Sequence, residues 1–229
     1  MPKADPTTRI TADGKVYRKG RKYYGNRDMY DGEFLDGMKH GQGNLIFHNG
    51  DRYIGDFCRN LFQGFGTYAW APYKDRDTDE NILGKRYEGG WLAGKFHGIG
   101  AYVLGTGAYY SGEFKKGLYD GKGTLKCSNG DVYTGYWLRG KSNGQMVIKY
   151  DSGDLYEGEM QGGKYHGKGK LSYCRKLGSY EGDFERGWMH GKGIRLYSNG
   201  NKFVGAFKNG NSKPHATMPL TRVIKLRTI

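Results

Sequence analysis

Residues Tyr156–Gly169 read YEGEMQGGKYHGKG, and a recognisable copy of this stretch returns about every 23 residues along the chain. Aligned on the first Tyr, the copies start at Tyr30, Tyr53, Tyr87, Tyr110, Tyr133, Tyr156, Tyr180 and Phe203, with steps of 23, 34, 23, 23, 23, 24 and 23 residues. A fixed period of this length marks a stacked repeat array, in which each unit buries its apolar face against its neighbours. Position three is Gly in all eight copies, and position five is bulky: Phe34, Phe57, Trp91, Phe114, Trp137, Met160, Phe184 and Phe207. Position twelve is Gly in seven copies, from Gly41 to Gly191; position fourteen is Gly in six of these and Met146 in the other.

Positions one to five alternate aromatic, variable, Gly, often acidic, bulky. That is a period of two, hence a strand. Positions twelve to eighteen run Gly, x, Gly, x, apolar, x, apolar or aromatic, as in Gly41, Gly43, Leu45 and Phe47, and predict the second strand of a hairpin. A strand glycine costs about 0.5–1 kcal/mol relative to Ala, so its recurrence needs a reason. A one-layer sheet has no second layer to cover its apolar face, and large rings must lie down over neighbouring backbone, where glycine leaves a bare floor. Burying one ring contributes roughly 1.5–3 kcal/mol, enough to offset one or two glycines. The expected fold is all-β, a single-layer antiparallel array of β-hairpins. Its expected core is Tyr30, Phe34, Tyr53, Phe57, Tyr87, Trp91, Tyr110, Phe114, Tyr133, Trp137, Tyr156, Tyr180 and Phe184. At about 4.8 Å per strand and two strands per copy, roughly seven and a half copies would stack into a rod of about 75 Å.

The pattern resembles the MORN repeat (membrane occupation and recognition nexus), whose unit reads roughly YEGEWxxGxxHGxGxxxxxxG. The resemblance spans Tyr30 to about Gly210 and is carried by seven or eight in-register matches. It implies an elongated hairpin stack. It also implies a family in which stand-alone arrays serve cytoskeletal assemblies such as axonemal radial spokes, and in which other members associate with membranes.

Three segments follow: a basic N-terminal segment 1–29, a repeat array 30–210 with an insertion near 71–86, and a basic tail 211–229. Arg9–Tyr17 looks like the second half of a repeat and is expected to cap the array; residues 18–29 are expected to be a divergent cap or loop. Val223, Ile224 and Leu226 could form a short strand. The net charge is +14, and residues 1–29 hold eight Lys or Arg against three Asp, residues 211–229 four against none. Nine of the fourteen excess charges therefore lie in 48 terminal residues; Arg18, Lys19, Arg21 and Lys22 read either as a solvated turn or, with Arg222, Lys225 and Arg227, as contacts for an anionic partner. Three cysteines without C-x-x-C spacing argue for a reducing compartment. No apolar leader or run near 18 residues appears, which predicts a cytoplasmic protein.

Motifs that could carry chemistry are weak. Gly135–Ser142 matches the phosphate-loop string G-x-x-x-x-G-K-[ST], but its glycines are repeat positions three and eight, so the match is read as accidental. Asp75, Asp77 and Asp79 mimic the opening of a calcium loop, but Glu80 and Arg86 stand where Gly and Glu are needed. His40, His97, His166 and His190 share position eleven, about 10 Å from copy to copy, too far apart to share a metal ion. They are expected to fix hairpin turns by hydrogen bonding, and the acids of position four to be a repeating surface feature. No metal, cofactor or catalytic set is expected.

The sequence therefore predicts a non-catalytic scaffold or docking rod for proteins of a cytoskeletal complex, most closely the ciliary or flagellar axoneme of radial-spoke type, and not a nucleic-acid binder. Exposed sheet edges invite a homodimer. The alternative is a peripheral membrane protein that binds acidic phospholipid through repeats and basic tails.

Overall fold

Position eight, glycine in most copies, decides the hairpin geometry. Positions seven and eight both have positive φ, as in Asp36 (49°) and Gly37 (76°), Lys116 (53°) and Gly117 (87°), or Arg139 (48°) and Gly140 (81°). This two-residue turn matches the twist of antiparallel strands, and glycine adopts it without penalty at its second residue. A computed structural model describes residues 8–74, 81–82, 84–174 and 177–212. Among the described residues the regular elements are strands, apart from one residue of tight helical turn at Cys174.

Two units divide at Ser128 and Asn129. The first holds β1 (Thr8–Ile10), β2 (Val16–Tyr23), β3 (Met29–Leu35), β4 (Met38–Ile46), β5 (Arg52–Cys58), β6 (Leu61–Ala69), β7 (Tyr73–Lys74), β8 (Asn81–Ile82), β9 (Arg86–Leu92), β10 (Lys95–Val103), β11 (Tyr109–Lys115) and β12 (Leu118–Lys126). Strands β1 to β6 and β9 to β12 form an antiparallel meander in chain order, while β7 and β8 pair with each other. Because β6 pairs directly with β9, Gly66 opposite Gly89, the insertion leaves the register intact. The second unit is a meander of β13 (Val132–Leu138), β14 (Lys141–Lys149), β15 (Leu155–Gln161), β16 (Lys164–Ser172), β17 (Gly178–Glu185), β18 (Trp188–Tyr197), β19 (Lys202–Lys208) and β20 (Asn211–Ser212).

Two expectations shift. The second strand of each hairpin starts at position nine rather than twelve, as at Met38 and Leu61. Of residues 18–29, expected as a divergent cap or loop, 18–23 are strand: β2 pairs with β3 from Tyr17 to Tyr23, and Gly20 faces Gly32 as a position-fourteen glycine does. The repeat phase was hidden there because Arg18 stands where position twelve is otherwise Gly.

Each unit is stabilised by rings lying on glycine. A Cβ added at Gly43, Gly66, Gly100, Gly123, Gly169 or Gly193 would stand 2.1–2.6 Å from the hydroxyl of Tyr30, Tyr53, Tyr87, Tyr110, Tyr156 or Tyr180. All six tyrosines have 0 % exposure. Each hydroxyl donates to the position-four carbonyl of its own strand, at 2.7–3.1 Å, so burial leaves no polar atom stranded. Edge-to-face contacts join rings to position five of their own and the next copy: Tyr53 touches Phe57 and Trp91 at 5.0 and 5.3 Å, and Tyr180 touches Phe184 and Phe207 at 5.1 and 4.8 Å. Such pairs add about 0.5–1.5 kcal/mol beyond area burial. Between copies, the turn aspartates accept a backbone N–H twenty residues on: Asp28 from His48, Asp51 from Ala71, Asp131 from Asp151, Asp154 from Cys174.

Candidate docking faces

With the rings on one face, function is left to the other, where positions two, four, thirteen and fifteen point. Seven of the described hairpins have a register break just after position three, where the second strand carries two extra residues around position twelve. There the glycine is left-handed, with φ of 66° at Gly64, 110° at Gly121 and 59° at Gly167. The position-four acid folds into this gap. Asp56 accepts from the Phe65 N–H at 2.8 Å, Glu113 from Lys122 at 2.8 Å, Glu159 from Lys168 at 3.3 Å and Asp183 from Lys192 at 2.9 Å. These acids are therefore bulge clamps and not merely a surface feature. The neighbouring Lys168 ammonium, aided by the Lys192 N–H, holds the Asp183 carboxyl below the ordinary carboxylate range.

In the second unit this face is a trough of about 1200 Å³ running across β13 to β19. Its middle is charged, with Lys170 set between Glu157 and Glu181 by the register and Lys168 2.5 Å from Asp183. Its flanks are apolar and accessible: Val147 is 37 % exposed, Ile194 40 % and Val204 54 %. An open trough with a glycine floor, apolar walls and paired charges is suited to a segment of another protein.

Twelve of the thirteen residues named as core lie buried, each at 7 % exposure or less. Tyr133 differs: it is half-buried. Position fourteen of its copy is Met146, whose side chain, 2 % exposed, occupies the space the ring takes elsewhere, and a Cβ at Gly135 would meet the Met146 Sδ at 2.5 Å. Position ten was missed. Phe62, Phe96, Tyr119 and Tyr165 stack flat on Tyr53, Tyr87, Tyr110 and Tyr156 with centroids 3.7–3.9 Å apart. An aromatic nine residues after the first Tyr in four copies was the available signal.

The basic residues of β2 are exposed, but Arg21 is bound to Asp31 at 2.7 Å and the Lys22 ammonium lies 5.1 Å from the Tyr24 ring. Arg18 and Lys19 precede Gly20 on the same strand. Arg222, Lys225 and Arg227, the segment around Val223, and Asp75, Asp77, Asp79 and Glu80 lie outside the described residues. In the phosphate-loop string, Arg139 and Gly140 form the β13–β14 turn and Lys141 and Ser142 continue as β14, so no helix follows the glycine loop. The histidines act only in part as expected: Nδ1 of His40, His97 and His190 is buried without a hydrogen-bond partner among the described residues, while Nε2 of His190 reaches the Glu185 carboxylate at 3.3 Å beside the β17–β18 turn. Ring packing also holds His40, which Tyr17 meets edge-on at 6.0 Å.

Two solved structures resemble the fold at low similarity. The TCP10 domain of Danio rerio CPAP, in complex with a STIL peptide, has TM-score 0.42 and 10 % identity over 87 % of this chain and 82 % of that one. The SAS-4 (dCPAP) TCP domain of Drosophila melanogaster, with a proline-rich motif of Ana2, has TM-score 0.34 and 14 % identity over 90 % and 95 %. No curated protein matches the chain. The MORN repeat profile matches residues 30–52, 53–73, 87–109, 110–132, 133–154, 156–175 and 180–202. With more than half the chain covered in register and each match folded as an antiparallel hairpin, the chain belongs to the MORN repeat family.

Proposed function

We propose that this protein is a non-catalytic scaffold that docks other proteins of a cytoskeletal assembly, of the ciliary or flagellar axoneme type, through the face its rings leave uncovered. Family membership implies a repeat-based binding or scaffold role. The observation that carries the reading further is the trough of the second unit, apolar at its flanks and charge-paired in its middle. Arg18 and Lys19, with the basic residues of the C-terminal tail, add contacts for an anionic partner.

A tagged copy expressed in a flagellated cell tests this. Fibrous axonemal signal is expected, and Ile194→Asp with Val204→Asp, both at exposed positions, should disperse it while leaving the purified protein folded by circular dichroism. Plasma-membrane signal would replace this reading with lipid attachment. Undiminished axonemal signal in the double variant would move the docking surface off the trough.

A further inference from the structure

One bulge of the first unit lacks its clamp. In the copy beginning at Tyr87, position four is Gly90, which has no side chain to reach across to Ile99. The effect is visible at position twelve. A Cβ added at Gly41, Gly64, Gly121, Gly167 or Gly191 would run into the carboxylate side chain of Glu33, Asp56, Glu113, Glu159 or Asp183, and at Gly144 it would stand 3.6 Å from Tyr136. At Gly98 it would meet nothing within 4 Å, alone among the seven. Gly98 keeps the left-handed backbone of the others, with φ of 67°, and the register break is present between Phe96 and Gly100. The bulge is thus formed and the place over Gly98 is open, but the chain could not fill it from its own strand, because the His97 carbonyl stands 2.2 Å from where a Cβ at Gly90 would be.

The surroundings are apolar. Phe65, paired with Gly90 from β6, is 59 % exposed, and Ile99 is 77 % exposed. Position thirteen is Gln or Lys in the other five copies, Gln42, Lys122, Gln145, Lys168 and Lys192, so these two apolar residues are a local departure. The facing Glu113 is engaged on the Lys122 N–H. Isolated exposed apolar side chains need no explanation; a pair flanking an open carboxylate place on a formed bulge does.

We propose that this gap is a docking point for a partner protein's Asp or Glu side chain carried between apolar residues. The carboxylate would sit over Gly98 and accept the Ile99 N–H as Asp56 accepts that of Phe65, while its apolar neighbours rest on Phe65 and Ile99. The occupant's chemistry is written in the molecule, since the equivalent place in five other copies is filled by the chain's own carboxylate. A charged acceptor on a backbone N–H is among the stronger hydrogen bonds, and the apolar flanks exclude water from it.

The test uses the full chain, labelled with nitrogen-15 and titrated with the peptide acetyl-Leu-Glu-Leu-amide and its Gln counterpart. Saturable shifts of the Ile99 and Gly98 amides are expected with the Glu peptide, the Gln peptide binding about tenfold more weakly. The Lys122 amide, already held by Glu113, should not move. Glu113→Ala should make it respond, and Phe65→Ser should weaken binding at Ile99. Silence of the Ile99 amide, equal responses to the two peptides, or a Lys122 response in the unaltered chain would overturn the proposal. Localisation and the trough variants would be unaffected by that failure, so the two readings stand or fall separately.

Discussion

The copy at Tyr110 and the copy at Tyr133 solve the same packing problem in different ways. In the first, Tyr110 lies flat over Gly123, stacked on Tyr119 at 3.7 Å, with no exposure. In the second, Met146 rises from the floor position, Tyr133 is displaced to half-burial, and Met146, Ile148, Ser142 and Trp137 fill the core at 2 %, 0 %, 6 % and 7 % exposure. The hairpin register is the same in both, Gly112 opposite Gly123 and Gly135 opposite Met146. Position fourteen thus chooses between a ring laid across the strand and a side chain standing on it. The turn and strand pairing do not depend on the choice.

The largest expected difference comes with alkali. Burial pushes the Tyr87 and Tyr180 hydroxyls up to about 12, and raises those of Tyr30, Tyr53, Tyr110 and Tyr156 as well. Unfolded tyrosine ionises near 10, so between pH 10 and 12 the folded state binds more protons. Stability is complete below pH 10 and falls as pH rises through that window. The last part of the tyrosinate absorbance, that of the buried rings, should therefore appear together with loss of the β circular dichroism signal. The full absorbance of all 20 tyrosines developing while the sheet persists would mean that the rings on glycine are accessible.

Position five is shared by both kinds of copy, so Trp91→Ala and Trp137→Ala should each cost about 3–5 kcal/mol in urea denaturation through lost ring burial. Near-neutral values would remove the aromatic ladder as the core. Gly123→Val should cost about 3 kcal/mol, because its Cβ would stand 2.1 Å from the Tyr110 hydroxyl and expel the ring. Met146→Gly tests the reverse exchange. Loss of a buried methionine is partly offset if Tyr133 settles onto the new floor, for a net cost of about 1–2 kcal/mol, with Tyr133 becoming protected from iodination. A cost near 4 kcal/mol with Tyr133 still reactive would show that the glycine floor alone does not draw the ring in. The smallest effect is expected at Lys141→Ala, within about 0.5 kcal/mol, with no thermal shift from ATP or GTP in either protein; a saturable nucleotide shift would contradict the hairpin reading of that string.

The period, the hairpins, the one-layer arrangement and the ring-on-glycine core were legible in the chain because they rest on contacts that repeat locally. A Tyr, a Gly two residues on and a Gly thirteen residues on lie within one hairpin, and seven repetitions make the pattern louder than any single propensity. Even the exception was marked, since Met146 breaks position fourteen in the sequence. Only the tertiary structure decided what happens across the bulge and between strands. The position-four acids look like solvent-facing residues until the register break brings the amide nine residues later onto them. The position-ten rings look incidental until the kink lays them on Tyr53, Tyr87, Tyr110 and Tyr156. Arg21 reads as a free charge until β2 joins the sheet opposite Asp31. An empty place cannot be read from a sequence: Gly90 is one more glycine among 41, and becomes a gap only when five other bulges show which side chain belongs there.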